Sequence, residues 1–455
     1  VADAAQPFGG TWNEDNTIVF TTGLGSGLLR IPATGGQPES LTKPDGAGQG
    51  YAHVWPQSLH GGKSILFTIW GQSLGVAVLS IDSRRWQLVQ PGVSGSILCL
   101  TAGTTGHLLS LDRNSGVKAG PFDAARPAVT NPDTSVLADV YWDQLNPRNW
   151  LAASKTGTAV YAQGNPAKKS LVWVDRNGKV EAIGTEQAPY RWLALAPDGS
   201  RAMVLQGRDI WIYDIQRPGT RTRLTLPMAG VGNHIPIWSL DGKRAYFASN
   251  RGGDWDIYSQ PADGSHPAAA LLRRPYDQFP HSVARDGTLL FRELHPTTGA
   301  DIWVLSPDGK ASPVRVTPFN EDNAVFSPDG RWIAYDSDES GRSEIYIQSY
   351  PGGSKRISIS TGGGRRPIWS RDGKELFYLA GDAIMTVFLR PDGSLASTPH
   401  MLFNCSDYLS DSYDISPDGK RFLMIRRDAG SVPRQLNVIL NWSDELDRLV
   451  PIGKR

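Results

Sequence analysis

Only two cysteines, Cys99 and Cys405, occur in 455 residues, which excludes a disulfide scaffold and any multi-thiolate metal site. They fall in different repeats, so two separate buried thiols are expected. Long apolar runs are missing too. Ser64–Trp70 and Leu436–Leu440 are strand-sized, far short of the roughly 18 residues a membrane helix needs. Charge of one sign is absent as a block: 46 Lys+Arg against 45 Asp+Glu leave +1, which argues against a nucleic-acid footprint. The eight histidines are scattered with no pair at metal-ligand spacing, so neither a metal centre nor a cofactor site is expected. Val1–Ala5 has no Met, no basic segment and no apolar one, and it reads as a cut or processed end.

What is present is aromatic, glycine-rich and repetitive. Fifteen Trp, 14 Tyr and 13 Phe can fill a large core, while 49 Gly and 32 Pro supply turns without reaching a disordered composition. A turn of the form Ser-Pro-Asp-Gly recurs at Ala196–Gly199, Ser239–Gly242, Ala284–Gly287, Ser327–Gly330, Ser370–Gly373 and Ser416–Gly419, its Asp residues 43 to 46 positions apart. That period is the length of a four-stranded propeller blade. Each copy has an apolar strand before the turn and another after it. A third strand then opens with an acidic residue, Ile and an aromatic: Asp209-Ile210-Trp211, Asp256-Ile257-Tyr258, Asp301-Ile302-Trp303 and Glu344-Ile345-Tyr346. Asp-Gly tolerates the positive φ of tight hairpins and Pro presets the preceding corner.

Weaker copies lie upstream at Asn13–Asn16, Leu59–Gly62, Thr104–Gly106 and Lys155–Gly157. The expected fold is therefore all-β, a β-propeller of four-stranded antiparallel blades with ten repeats. Four degenerate blades in residues 1–170 form part of a second ring. Residues 171–455 form a six-bladed ring with a short helical tail at Ser443–Leu449. The last blade offers Arg421–Arg427 and Gln435–Asn441 but no clear fourth strand. Since an unpaired edge invites aggregation, the segment Lys179–Gly184 or the strand Leu171–Asp175 is expected to pair there.

The pattern Ser-Pro-Asp-Gly, then Ala-Tyr or Ala-Phe, then Asp-Ile-Tyr resembles the TolB-type β-propeller repeat. The order of landmarks is also similar to the extracytoplasmic C-terminal regions of bacterial transmembrane serine/threonine kinases, through Gly10–Asn13, Leu171–Asp175, Phe319–Glu321, Ser327–Ser340, Ser360–Ser370 and Leu440–Leu446. The resemblance implies a periplasmic or extracellular place on a bacterial membrane and a binding or sensing role. No Gly-rich loop with its Lys, no His-Arg-Asp and no Asp-Phe-Gly is present, so this chain is not the catalytic part of a kinase.

Other motifs yield bland readings. Gly71-Gln72-Ser73-Leu74-Gly75 fits a nucleophile elbow in letters, but it joins two strands and reads as a hairpin. Asp336–Gly341 imitates the start of a calcium loop, yet position 12 is Ile347, so it too reads as a hairpin. Recurring tryptophans such as Trp192, Trp238 and Trp369 read as blade-to-blade packing.

Geometry supplies the remaining expectation. Loops entering the innermost strands form one rim of a propeller channel, where ligands gather. They place His234, Gln278, His281, Asn320, Glu321, Asp322, Arg365 and Arg366 at the channel mouth, with Glu321-Asp322 and Arg365-Arg366 on consecutive blades. The partner class is a protein, peptide or polar small molecule, and no catalytic residue is assigned. The expected function is a non-enzymatic binding or sensing module. A hydrolase or lyase on the same scaffold is the alternative, to be marked by a channel cluster of strongly perturbed titratable groups.

Overall fold

A computed structural model describes residues 8–23, 26–44, 52–59, 62–70, 75–91, 97–102, 105–111, 116–124, 126, 134–141, 151–154, 157–165, 169–228, 230–431, 433 and 435–452. The elbow motif at Gly71–Leu74 and several upstream turn residues (His60, Gly61, Thr104, Lys155 and Thr156) lie outside these residues. The chain divides into two compact units, one of residues 167–428 and one of residues 1–166 with 429–455.

The turn motif has a local physical cause. Ser327 Oγ donates to Asp329 Oδ1 (2.6 Å) and accepts the Trp332 N–H (2.9 Å), while Asp329 Oδ1 accepts the Arg331 N–H (3.1 Å). Gly330 closes the turn at φ +72°, where a Cβ would strain the backbone. The same bonds recur at Ser239, Ser370 and Ser416. The acidic residue opening the third strand anchors the blade's outer side: Asp209 pairs with Arg223, and Glu344 accepts from Ser360.

In residues 167–428 these turns build six four-stranded antiparallel sheets. Five are made from consecutive strands. We number the blades by their inner strands: Tyr190–Leu195 (first), Asn233–Trp238 (second), Asp277–Val283 (third), Glu321–Phe326 (fourth), Arg365–Trp369 (fifth) and Tyr408–Ile415 (sixth). Each inner strand packs on the next, and the sixth packs on the first, which closes a ring around a channel. The sixth blade is the seam. Its inner strands Tyr408–Ile415 and Arg421–Arg427 continue into Lys169–Asp175 and Val180–Ala182 from the other end of the unit. Leu171 lies opposite Ile425 and Trp173 opposite Leu423. The unit is thus a six-bladed β-propeller, and the strand expected at Leu171–Asp175 makes the seam.

The cores lie between blades. Phe377, Leu379, Ile384, Phe422 and Met424 pack with Val172 and Val174 across the fifth and sixth. Ala194, Met203 and Ile212 of the first blade meet Trp238 and Phe247 of the second. Trp238 Nε1 donates to the Ala194 carbonyl (2.9 Å), which fits the packing role expected of that residue.

Among the described residues the other unit holds three four-stranded sheets and one of three strands, Leu151–Ala153, Ala159–Ala162 and Leu436–Ile439. Here the expected boundary needs correction at its C-terminal end. Residues 429–455 belong to this unit, because Leu436–Ile439 pairs with Ala159–Ala162 and the helix Trp442–Leu449 buries Trp442 and Leu446 against Leu109, Val117 and Leu151.

Candidate functional site

All six inner strands of the ring carry a bulge. The register with the second strand shifts between Tyr190 and Leu193, His234 and Ile237, Pro280 and Ser282, Asp322 and Val325, Arg365 and Ile368, and Tyr408 and Tyr413. At three of them a non-glycine residue takes a left-handed backbone: Ile235 (φ +45°), Asn323 (φ +53°) and Arg366 (φ +54°). A bulge re-aims side chains and frees backbone N–H groups from the ladder. Around much of the ring, side chains of the preceding blade take those N–H groups. His281 Nδ1 and Ser282 Oγ accept from Ala324 and Phe326 (both 3.2 Å), Asp336 Oδ1 from Arg366 (3.0 Å), and Ser412 Oγ and Asp414 Oδ2 from Leu193 and Leu195 (2.7 and 2.8 Å).

The bulges gather one polar network from all six blades. Arg366, of the fifth blade, lays its guanidinium 4.4 Å from the ring centroid of Trp192, of the first. Trp192 Nε1 donates to His234 Nε2 (2.8 Å), and the two rings meet edge-on at 5.2 Å. His234 also faces Phe279 and Trp255, each at 6.0 Å. Over Phe279 sits Arg292 at 4.6 Å, and Arg292 pairs with Asp322. His281 Nε2 lies 3.2 Å from Asp322 Oδ1. Since Nδ1 of this histidine accepts a backbone N–H, the neutral ring carries its proton on Nε2, toward the carboxylate. Asp336 accepts from Asn323 Nδ2 (2.9 Å), the Arg366 N–H and Ser343 Oγ (3.3 Å). Tyr413, of the sixth blade, donates to the Arg366 carbonyl (2.6 Å).

Electrostatics follows from this enclosure. Burial, with Arg191, Arg292 and Arg366 nearby, holds His234 well below the ordinary imidazole range. Burial also lowers His281, against the pull of Asp322. For Asp322 burial acts upward, but Arg292 and then His281 outweigh it and hold the carboxyl far down. Asp336 moves the other way, pushed up to about 7 by burial and then by the charge of Asp322. Burial likewise raises Asp414. A cluster of strongly perturbed groups therefore does occupy the channel.

Of the eight residues expected at the mouth, His234, His281, Asp322 and Arg366 converge. The other four point elsewhere, because successive side chains of a strand leave on opposite faces. Glu321 is fully buried and accepts from Thr317 Oγ1, with Arg315 3.8 Å away. Gln278, also buried, donates to the Tyr276 carbonyl. Asn320 donates to Asp338 Oδ2 (2.7 Å) in the loop, and Arg365 is exposed on the opposite face of its strand from Arg366. Trp192 packs against the cores between blades, as expected of the recurring tryptophans, and in addition donates to His234. The Asp336–Gly341 segment is the expected hairpin, joining Trp332–Ser337 to Glu344–Ser349. No group of three or more His, Cys, Asp or Glu among the described residues is arranged to hold a metal ion.

Arg292 and Asp336, the latter expected only to open a hairpin, are not among the eight because both lie on second strands. Their signal is in the sequence: each follows an apolar run, Leu289-Leu290-Phe291-Arg292 and Trp332-Ile333-Ala334-Tyr335-Asp336.

No family model matches the chain. An uncharacterized protein of Agrobacterium fabrum is 30% identical over 129 residues, 27% of this chain and 43% of that protein. The chain thus spans less than half the length of the curated relative it matches. Similar solved structures include TolB from Agrobacterium tumefaciens, at 19% identity over 57% of this chain and 98% of that one, with a TM-score of 0.49. TolB from Acinetobacter baumannii is 13% identical over 85% of this chain and 82% of that one, at 0.41. A gluconolactonase from Xanthomonas campestris is 16% identical over 59% and 89%, at 0.39. The chain is an all-β protein whose residues 167–428 form a six-bladed β-propeller, and a fold does not by itself select a function. Among the described residues no helix is long and apolar enough to cross a membrane.

Proposed function

We propose that this chain is a non-enzymatic binding or sensing module that takes a polar small molecule, peptide or protein segment at the channel of its six-bladed ring. Its place is the periplasmic or extracellular side of a bacterial membrane, as the outer part of a receptor-type serine/threonine kinase; the sequence resemblance supports that context. The observation that carries the reading is the convergence of Arg366, Trp192 and His234, from three different blades, on one polar and aromatic surface.

A second reading has a specific observation behind it. Asp322 and Asp336 titrate far apart, as the two carboxyls of an acid/base pair do. Their surroundings favour the structural explanation. Asp336 accepts bonds from Asn323, Arg366 and Ser343, while Asp322 is held by Arg292, His281 and the Asn323 N–H (2.7 Å). Perturbed groups that neutralise one another are what a structural ion-pair network produces. A thermal-shift screen of polar ligands and peptides, run beside a panel of hydrolase and lyase substrates, separates the two readings. Binding without turnover is expected. Turnover abolished by Asp336→Asn would establish the enzyme instead.

A further inference from the structure

His234 presents a hydrogen-bond donor that none of the described residues takes. The indole nitrogen of Trp192 can only donate, so His234 Nε2, 2.8 Å away, is unprotonated. Burial among arginines keeps the imidazole neutral, and its proton therefore sits on Nδ1. That atom is shielded from solvent and has no hydrogen-bond partner among the described residues. A buried donor of this kind has an oxygen as its natural complement.

The surroundings specify which oxygen. Arg366 lies over Trp192 and Arg292 over Phe279, two of the rings that His234 meets. Arg292 spends one nitrogen on Asp322, while its buried Nε is also without a partner among the described residues. Arg191 adds a third positive charge near the ring. A neutral carbonyl would satisfy Nδ1–H yet gain little from these cations, and a cationic ligand would be repelled by them. An anionic oxygen matches both features, and a planar guanidinium favours a planar carboxylate.

The geometry points to a carboxylate-binding site in the ring channel, in which His234 Nδ1–H donates to a ligand carboxylate flanked by Arg292 and Arg366, with Trp192 and Phe279 as walls. This deepens the proposed reading of the channel and rests on it. The carboxylate has two sources, a free small organic acid or the C-terminus of a peptide.

The test uses the full chain with 15N-labelled His and Trp and four probes: N-acetylglycine, acetamide, and the tripeptide Ala-Ala-Ala with a free or an amidated C-terminus. N-acetylglycine and the free-acid tripeptide are expected to shift the His234 ring and Trp192 indole resonances, whereas acetamide and the amidated tripeptide leave them in place. Equal affinity for the two acids identifies a small-acid site; a tripeptide binding about tenfold tighter, one further hydrogen bond to a charged group, identifies a peptide terminus. His234→Phe removes the donor and should weaken binding by about tenfold or more, the loss expected for a hydrogen bond to a charged group. His234→Asn, whose amide nitrogen falls near the position of Nδ1, should restore most of it, which a merely structural role of the ring would not predict. The wild-type resonances decide the matter if either variant fails to fold. Amidated and free-acid tripeptides shifting the resonances alike would overturn the carboxylate assignment and leave the channel reading standing. No response to any probe would overturn both.

Discussion

The titrating groups of the channel make opposite contributions to stability. Asp336 has a raised pKa in the folded state, so folding favours its protonated form. Its contribution is present below the ordinary Asp range and is lost as pH rises through about 7. Asp322 has a lowered pKa, so its contribution is present at neutral pH and lost only as strong acid protonates it. Asp336→Asn keeps an oxygen for Asn323 and Arg366 and an amide for Ser343. We expect this variant to gain melting temperature over wild type progressively from about pH 4 to about pH 7 and to hold that gain above it; a constant difference from about pH 4 to about pH 8.5 would remove the raised pKa from the account. Arg292→Met leaves Asp322 without its principal cation and should cost about 2 kcal/mol at pH 7 by denaturant titration, with much of the loss recovered in the double variant carrying Asp322→Asn. At this scale the sequence was half legible. Positions flanking the inner strands were found, and His234, His281, Asp322 and Arg366 among them do meet. Alternation sends Glu321 and Arg365 to the other face, and the phase of that alternation depends on bulges that no residue pattern announced. Arg292 and Asp336 each follow an apolar run on a second strand, a signal that the hairpin reading of Asp336–Gly341 did not use.

Strands and turns follow rules that the sequence states more openly. The Ser-x-Asp-Gly turn is legible because its chemistry is local: one hydroxyl donates to the Asp and accepts the N–H five residues on. Ser327→Ala should therefore cost about 1 kcal/mol, the net worth of a typical hydrogen bond, and a loss below about 0.3 kcal/mol would deny the turn its role. The seam is less local. Lys169–Asp175 and Arg421–Arg427 stand about 250 residues apart, yet they pair along their whole length, with Leu423 and Ile425 fully buried beneath. Hydrogen exchange should show the two segments protected to the same degree and released together when Ile425→Ala weakens the sheet by about 2–4 kcal/mol. Independent release would mean that they do not share a ladder. Leu436–Ile439 shows the limit of such reading. Its apolar alternation announces a strand, but the choice between the last blade and Ala159–Ala162 is made by packing around Trp442 and Leu446.

Considered whole, the ring rests on a topological statement: residues 167–428 contain both halves of their own seam and need no strand from elsewhere. The repeat period made six blades legible, and the shortage of strands after Arg427 made the seam legible. The return of residues 429–455 to the other unit was not, because nothing in their pattern marks which unpaired edge they fill. Closure also matters for function, since Arg366 of the fifth blade reaches Trp192 of the first only if the sixth blade completes the circle between them. The most direct measurement is calorimetry of the isolated fragment 167–428, with the Trp192 indole resonance followed through the melt. Closure predicts a single cooperative transition and an indole signal, shifted by its bond to His234, that persists until that transition. A fragment that melts broadly, or one that folds without the shifted indole signal, would contradict it.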